Sequence, residues 1–317
     1  MRIGVTLGDP AGIGPELVRA VCDGGDDLVV YGDAILCAGV AAELVPVTSL
    51  DGVVPGVPSE ATGRAQVAYL EAAVADAVAG RLDALVTAPI NKASCLAAGF
   101  AFPGHTEFLQ ARFGAPSVTM MFAGPRMRVS LATIHHALAD VPRVLSAEAI
   151  AVAIVHTAEA LVRDFGVVSP RIAIAGLNPH AGEQGHFGDD ETRVIAPAIE
   201  VARARLAAAG IDAELWGPRV PDAVFRDHLD ARFEAVVAMY HDQGLIPVKV
   251  VDFEEAVNVT LGLTTPAGAP FVRTSPDHGV AYDIAGKKLA RATSFAAALR
   301  LARELTARRL HASMNPP

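Results

Sequence analysis

Short runs of β-branched residues alternate along this chain with longer stretches rich in Ala, Leu and Arg, and that alternation limits the folds open to it. A short β-branched run suits a strand buried on both faces, and the longer stretch suits the crossover helix that a parallel strand requires. The expectation is an α/β fold of βα units around a mainly parallel sheet. Candidate strands are 2–7, 28–31, 84–87, 118–122, 127–134, 171–177, 235–240 and 257–261. Candidate helices are 15–22, 63–79, 106–113, 147–165, 192–209 and 295–308. Val67, Leu70, Val74 and Val78 mark one apolar helix face, and Gly166 and Gly210 end two other helices.

At 317 residues the chain exceeds the ~250–300 at which single cores divide, so two domains sharing a cleft are expected. No Ser/Gly linker or fixed-period repeat separates them, and the chain is expected to cross between them more than once. A net charge of −9 rules out the broad basic face that a nucleic-acid backbone requires, yet local cations and helix N-termini can still hold a small anion. Cys22, Cys37 and Cys95 are odd in number and form no CxxC pair, which fits buried thiols in a reducing compartment. The opening MRIGVTLGDP lacks the pattern of a signal peptide, and no apolar run approaches ~20 residues. A cytoplasmic protein with no membrane or nucleic-acid partner is expected.

Five segments fall just beyond candidate strands, where open α/β sheets bind ligands: Gly8–Glu16, 87–92, 133–135, 178–180 and 240–244. Three of them carry a histidine, His135, His180 and His241. Each alone reads as a hydrogen-bonded structural residue, but together they suit a divalent ion with an open position, with Asp242 and Asp222 as nearby carboxylates. His136 points away from its neighbour on an extended segment. His186 lies in a glycine-rich loop, and His156, His228 and His311 fall on helical stretches as structural or solvent-facing residues.

Gly8–Glu16 could present backbone amides to an anion or serve as a plain connection, since it is neither GxGxxG nor GxxxxGK[ST]. In Gly104-His105-Thr106-Glu107, Thr106 reads as an N-cap with His105 at the positive end of a helix. Lys249 and Arg273 are natural clamps for a phosphate or carboxylate. Only four lysines occur, at 92, 249, 287 and 288, which draws attention to each. The stretch 273–286 is broken by Gly and Pro and reads as a long functional loop, with Asp283 able to accept hydrogen bonds from a ribose.

The motifs GDPAGIGPE, TAPINK, GHTEF, NPHAGEQGHFG, YHDQGLIPVK, NVTLGL and RTSPDHGVAYDIAG, in this order, resemble the 4-hydroxythreonine-4-phosphate dehydrogenase family. The last loop is also similar to the adenosine-holding HGSAPDIAG loop of isopropylmalate and isocitrate dehydrogenases. The resemblance implies their two-lobed α/β/α fold, with the active site in the interdomain cleft at a homodimer interface. It suggests one domain from 1–115 plus 279–317 and a central domain from 116–278. It implies NAD bound without a Rossmann turn, NADP being the alternative, at His278, Gly279, Ala281, Asp283, Ile284 and Ala285. It makes His135, His180 and His241 ligands of one divalent ion (Zn, Mg, Co or Mn) shared between subunits. Substrate would meet His105, Thr106, Lys249, Asn258 and Arg273, with Lys249 and Asp242 in catalytic roles.

The implied reaction oxidises the C3 hydroxyl of 4-phosphohydroxy-L-threonine to a 3-keto acid, which loses CO2 to give 3-amino-2-oxopropyl phosphate in pyridoxal 5'-phosphate biosynthesis. One departure is an insertion within 264–270, just ahead of Arg273, which leaves 4-phospho-D-threonate and 4-phospho-D-erythronate as alternative substrates. A metallohydrolase or a non-catalytic phosphometabolite-binding protein is a more distant alternative.

Overall fold

The computed structural model describes residues 1–22, 25 and 27–314. In chain order the elements are β1 (Ile3–Thr6), α1 (Gly14–Val21), β2 (Leu28–Asp33), β3 (Glu43–Thr48), α2 (Glu60–Val78), β4 (Ala84–Thr87), α3 (Lys92–Ala97) and α4 (His105–Phe113). They are followed by β5 (Thr119–Ala123), β6 (Arg128–Leu131), α5 (Val141–Val144), α6 (Ala147–Arg163), β7 (Arg171–Ala175), α7 (Ala196–Ala208), β8 (Glu214–Arg219) and α8 (Pro221–Leu229). The chain ends with β9 (Ala235–Ala238), α9 (His241–Asp252), β10 (Val257–Leu261), β11 (Val272–Pro276) and α10 (Thr293–Met314).

The chain divides into two compact units, Met1–Pro116 with Leu263–Ala307, and Ser117–Gly262 with Arg308–Pro317. Residues 263–278 therefore join the first unit instead of the central domain expected for them, because β11 pairs in parallel with β4. Residues 308–314 join the second, where Arg309 holds the buried carboxylate of Asp164 at 2.6 and 2.7 Å. Residues 315–317 lie outside those described.

In the first unit the strand order is β3-β2-β1-β4-β11, all parallel. Strands β1, β2 and β4 are buried along their whole length, as both faces of a covered parallel strand must be. In the second unit the order is β10-β5-β6-β9-β7-β8, antiparallel at β10/β5 and β5/β6 and parallel from β6 onward. Side chains alternate across this sheet with the two-residue period of a strand. Ile172, Ile174 and Val237 join the core under α6 and α7, whereas Ala173, Ala175, Val236 and Ala238 face the core that Val224 of α8 and Leu245 and Val248 of α9 complete.

Three strands depart from expectation. Glu43–Thr48 and Glu214–Arg219 contain Pro46 and Pro218 and end their strand orders, the place where a strand without every ladder donor survives. Val272–Pro276 lies in the stretch expected to be irregular. It is instead fully buried, and Pro276 only closes it. The segment from His241 also winds directly into α9, with Pro247 inside the helix.

Candidate active site

Parallel strands send their C-terminal ends to one edge, so each unit collects its candidate residues there. In the first unit that edge gathers the segments after β1, β4 and β11. Arg273 reaches from β11 to donate to Thr87 Oγ1 of β4 at 2.7 Å. It is only 1% exposed, and burial lowers its pKa to about 10 against the pull of Glu107. A buried guanidinium with its fork set against Thr87 suits an anionic ligand.

His105 opens α4, whose N-cap, Gly104, has no side-chain cap, so Thr106 lies inside the helix and is not the expected cap. The amides of this first turn remain oriented toward a prospective anion. The Nε2 of His105 is buried with no hydrogen-bond partner in the structure. Burial, reinforced by the charges of Arg273 and Lys92, keeps its imidazole well below the usual range and therefore neutral at physiological pH. Thr106 is buried beside it. Thr87 and Glu107 were not singled out from sequence as individuals, although both stand inside quoted motifs. Lys92 stood out only by the rarity of lysine.

The loop after β11 is tied down by the segment after β1. Tyr282 donates to the buried carboxylate of Asp9 at 2.5 Å, Ile13 N–H to the Val280 carbonyl at 3.0 Å, and Gly286 N–H to Glu16 Oε1 at 2.5 Å. Ala11 N–H is likewise spent on Asp9 Oδ1 at 2.9 Å. With these amides consumed internally, the plain-connection reading of Gly8–Glu16 prevails, and the segment docks the loop. A Cβ at Gly8 would collide with the Pro89 carbonyl, so the turn requires glycine. The loop offers the exposed carboxylate of Asp283, a buried His278 Nε2 with no partner, and Ala281 at φ 45°. Gly279 is exposed, Ile284 half-buried and Ala285 buried. A surface acceptor and an unsatisfied imidazole nitrogen on one loop fit the hydroxyls and ring nitrogens of a nucleoside.

In the second unit His135 follows β6, His241 follows β9 and His180 follows β7, with β9 the middle strand of the three. The order predicts that His135 and His241 are neighbours, and their ring centroids lie 5.6 Å apart. Thr133 fastens the first of these segments to β9 by donating to the Met239 carbonyl at 2.7 Å. Asp242 Oδ1 lies 2.7 Å from His241 Nδ1, which leaves Nε2 for a ligand. His180 lines a cavity of about 740 Å³ with Asp222, Tyr240, Asp242 and Gln243. Among the described residues no group of three His, Cys, Asp or Glu side chains is close enough to hold a metal, so one chain brings together two of the three expected ligands and not the third. The two adjacent imidazoles, one steadied by a carboxylate, suit a borderline divalent ion. Asn258 of β10 has a buried Oδ1 with no partner, an acceptor ready for a hydroxyl or ammonium donor. Lys249 is exposed on α9.

Of the other histidines, His136, His186 and His311 are exposed, while His156 and His228 bond Thr119 and the Phe233 carbonyl.

The backbone around His180 is unusual. Residues 180–184 all have positive φ, from 40° to 78°, and four of them are not glycine. Left-handed backbone costs about 1–2 kcal/mol for each non-glycine residue, so the turn stores roughly 4–8 kcal/mol. Opposing this, Glu191 is buried in a π-helical turn and accepts from Leu177 N at 2.8 Å, Asn178 N at 2.7 Å and Asn178 Nδ2 at 3.1 Å. Hydrogen bonds to a charged group contribute about 1.5–3 kcal/mol each, enough to offset the strain. Nothing in the sequence pattern identified Glu191.

The family model of the pyridoxal phosphate biosynthetic protein PdxA matches residues 31–302. A 4-hydroxythreonine-4-phosphate dehydrogenase of Desulfosudis oleivorans is 46% identical over 95% of this chain and 94% of its own. One from Caulobacter vibrioides is 43% identical over 97% and 98%. A solved structure of the Klebsiella pneumoniae 4-hydroxythreonine-4-phosphate dehydrogenase superposes with a TM-score of 0.82 at 35% identity, covering 96% of this chain and 99% of that one. Fold and relatives together define the class, an α/β dehydrogenase with the fold of the isocitrate dehydrogenase type. The chain belongs to the PdxA family.

Proposed function

We propose that this chain oxidises the C3 hydroxyl of 4-phosphohydroxy-L-threonine with NAD, and that the 3-keto product loses CO2 to give 3-amino-2-oxopropyl phosphate for pyridoxal 5'-phosphate synthesis. The observation that carries this reading is the buried Arg273 beside the unpartnered Nε2 of His105 at the open start of α4, a receptor suited to a phosphate monoester.

The loop from His278 to Ala285 would hold NAD, the hydride acceptor. His135, His180 and His241, drawn from two copies of the chain, would hold a divalent ion that polarises the substrate hydroxyl and the later enolate. Asp242 keeps the His241 ring oriented. Asn258 accepts from the substrate, Thr106 lines the phosphate end, and Lys249 takes the hydroxyl proton.

A shared active site is supported by α9. Ile246, Val250 and Phe253 are 64%, 80% and 69% exposed and recur at helical spacing around Lys249. A second copy covering this stripe would remove the lysine from water and favour its neutral amine, the form that can accept a proton. No helix among the described residues is long and apolar enough to cross a membrane.

Purified protein incubated with NAD, a Mg/Mn/Zn panel and 4-phosphohydroxy-L-threonine should form NADH, and EDTA should abolish it. Faster turnover of 4-phospho-D-threonate or 4-phospho-D-erythronate would reassign the substrate, and absence of NADH with all three would overturn the reading.

A further inference from the structure

We infer that Glu191 is the positioning residue for His180, the support through which an inverted turn of backbone is held so that this imidazole can bind an ion. The inference rests on the proposed metal role of His180. Its observations are independent of that role.

His180 begins the run of positive-φ residues, so its direction is set by whatever stabilises that run. The Glu191 carboxylate supplies the stabilisation from inside. Oε1 receives both Leu177 N–H and Asn178 N–H, fixing the two residues just ahead of Pro179 and His180, while Oε2 receives the Asn178 side chain. The space around it is closed: a Cβ at Gly182 would lie 2.7 Å from Glu191 Oε2 and 2.9 Å from the Gly188 carbonyl. The turn is packed against this carboxylate and follows it.

The same frame reaches His241. Gln243 donates to the Gly176 carbonyl at 2.7 Å and accepts from Met239 N at 2.6 Å, bridging the end of β7, which leads to His180, and the end of β9, which leads to His241. Glu191 and Gln243 thus hold both sides of the residue pair Gly176-Leu177. Strained backbone persists where its surroundings over-determine it, and such places cluster at functional sites.

The test is a double-mutant cycle read by affinity for Mn2+ and Zn2+ in chelator competition on the full-length protein, with circular dichroism confirming the fold. Glu191→Ala should weaken binding at least tenfold in the wild-type background and have no further effect beside His180→Ala. Glu191→Gln should bind more tightly than Glu191→Ala, because its amide oxygen can still receive both backbone N–H groups while Asn178 keeps its bond to Asp190 Oδ2. If Glu191→Ala does not fold, Glu191→Asp replaces it. Its carboxylate is withdrawn by one methylene and should weaken binding at least threefold, again only when His180 is present.

A folded Glu191→Ala (or Asp) protein with wild-type affinity, or an equal loss in the His180→Ala background, would overturn the positioning role. Wild-type affinity in His180→Ala alone would instead overturn the metal reading beneath it.

Discussion

At the scale of single residues, burial decides which groups are prepared for chemistry. Arg273→Met keeps the apolar stem and removes the fork, so loss of charge-assisted hydrogen bonds to phosphate should cost about 2–3 kcal/mol. That corresponds to roughly 30- to 150-fold in kcat/KM, and Arg273→Lys should not restore it because the fork geometry is absent. Steady-state NADH assays with the phosphorylated substrate check both variants. His156 gives a pH prediction. Burial, helped by the Arg163 charge, lowers its pKa from 6.5 to about 4. Below pH 6.5 the unfolded chain gains a proton that the folded chain refuses, so stability falls as pH drops toward 4, by roughly 3 kcal/mol in all. His105 and His228, also depressed, act in the same direction. Between pH 7 and 4.5, urea unfolding should show a loss about 2–3 kcal/mol smaller for His156→Gln than for wild type.

At the scale of elements, the segment 264–270 ahead of Arg273, expected to be an insertion, is self-contained. Thr264 bridges Pro270, Thr265 N–H bonds the Ala269 carbonyl at 2.7 Å, and Phe271 N–H bonds the Leu263 carbonyl at 2.9 Å. Phe271 then packs on Phe113 at 4.9 Å, and Arg273 keeps its register opposite Leu85. Replacing residues 265–269 by Asn-Gly, a two-residue hairpin turn, should leave kcat/KM within about threefold and shift Tm by no more than about 4 °C. The loop proposed to hold NAD is less self-sufficient. Tyr282→Phe removes its bond to Asp9 and should raise KM for NAD about three- to tenfold while kcat changes less than twofold, the pattern of a loop that binds without touching the reacting atoms.

The sequence made the parallel strands legible because they are short apolar runs with one stable use, and it made the histidines legible because each follows such a run. It hid β3 and β8 behind their prolines and β11 behind its flanking breakers. Glu191 was invisible because it closes a run of three acidic residues, Asp189-Asp190-Glu191, and such a run ahead of a helical stretch looks solvated. Only the fold, by turning the preceding backbone left-handed, surrounds it with donors. Lys249 illustrates the converse case: a residue legible by resemblance that stands exposed in a single chain, amid a stripe of exposed apolar side chains.

At the scale of the whole molecule, that stripe carries the proposed assembly. Val250→Glu places a charge among Ile246, Val250 and Phe253, all exposed in one chain, so the variant should fold as a monomer by light scattering and lose at least 100-fold in NADH formation. A monomer with full activity would show that the subunits work alone.

The path of the chain has a consequence for its birth on the ribosome. Strand β4 has β1 on one side and β11 on the other, but the second unit is threaded between them in sequence. The open edge of β4 must therefore wait roughly 10–40 s for its neighbour at ordinary rates of translation, ~5–20 residues per second. During that interval an apolar strand with unpaired amides stands exposed, a template for aggregation and a natural client for chaperones. The strands of the second unit lie in one stretch, 117–262, and can meanwhile form their sheet, while Arg309 reaches Asp164 only once the last helix is made.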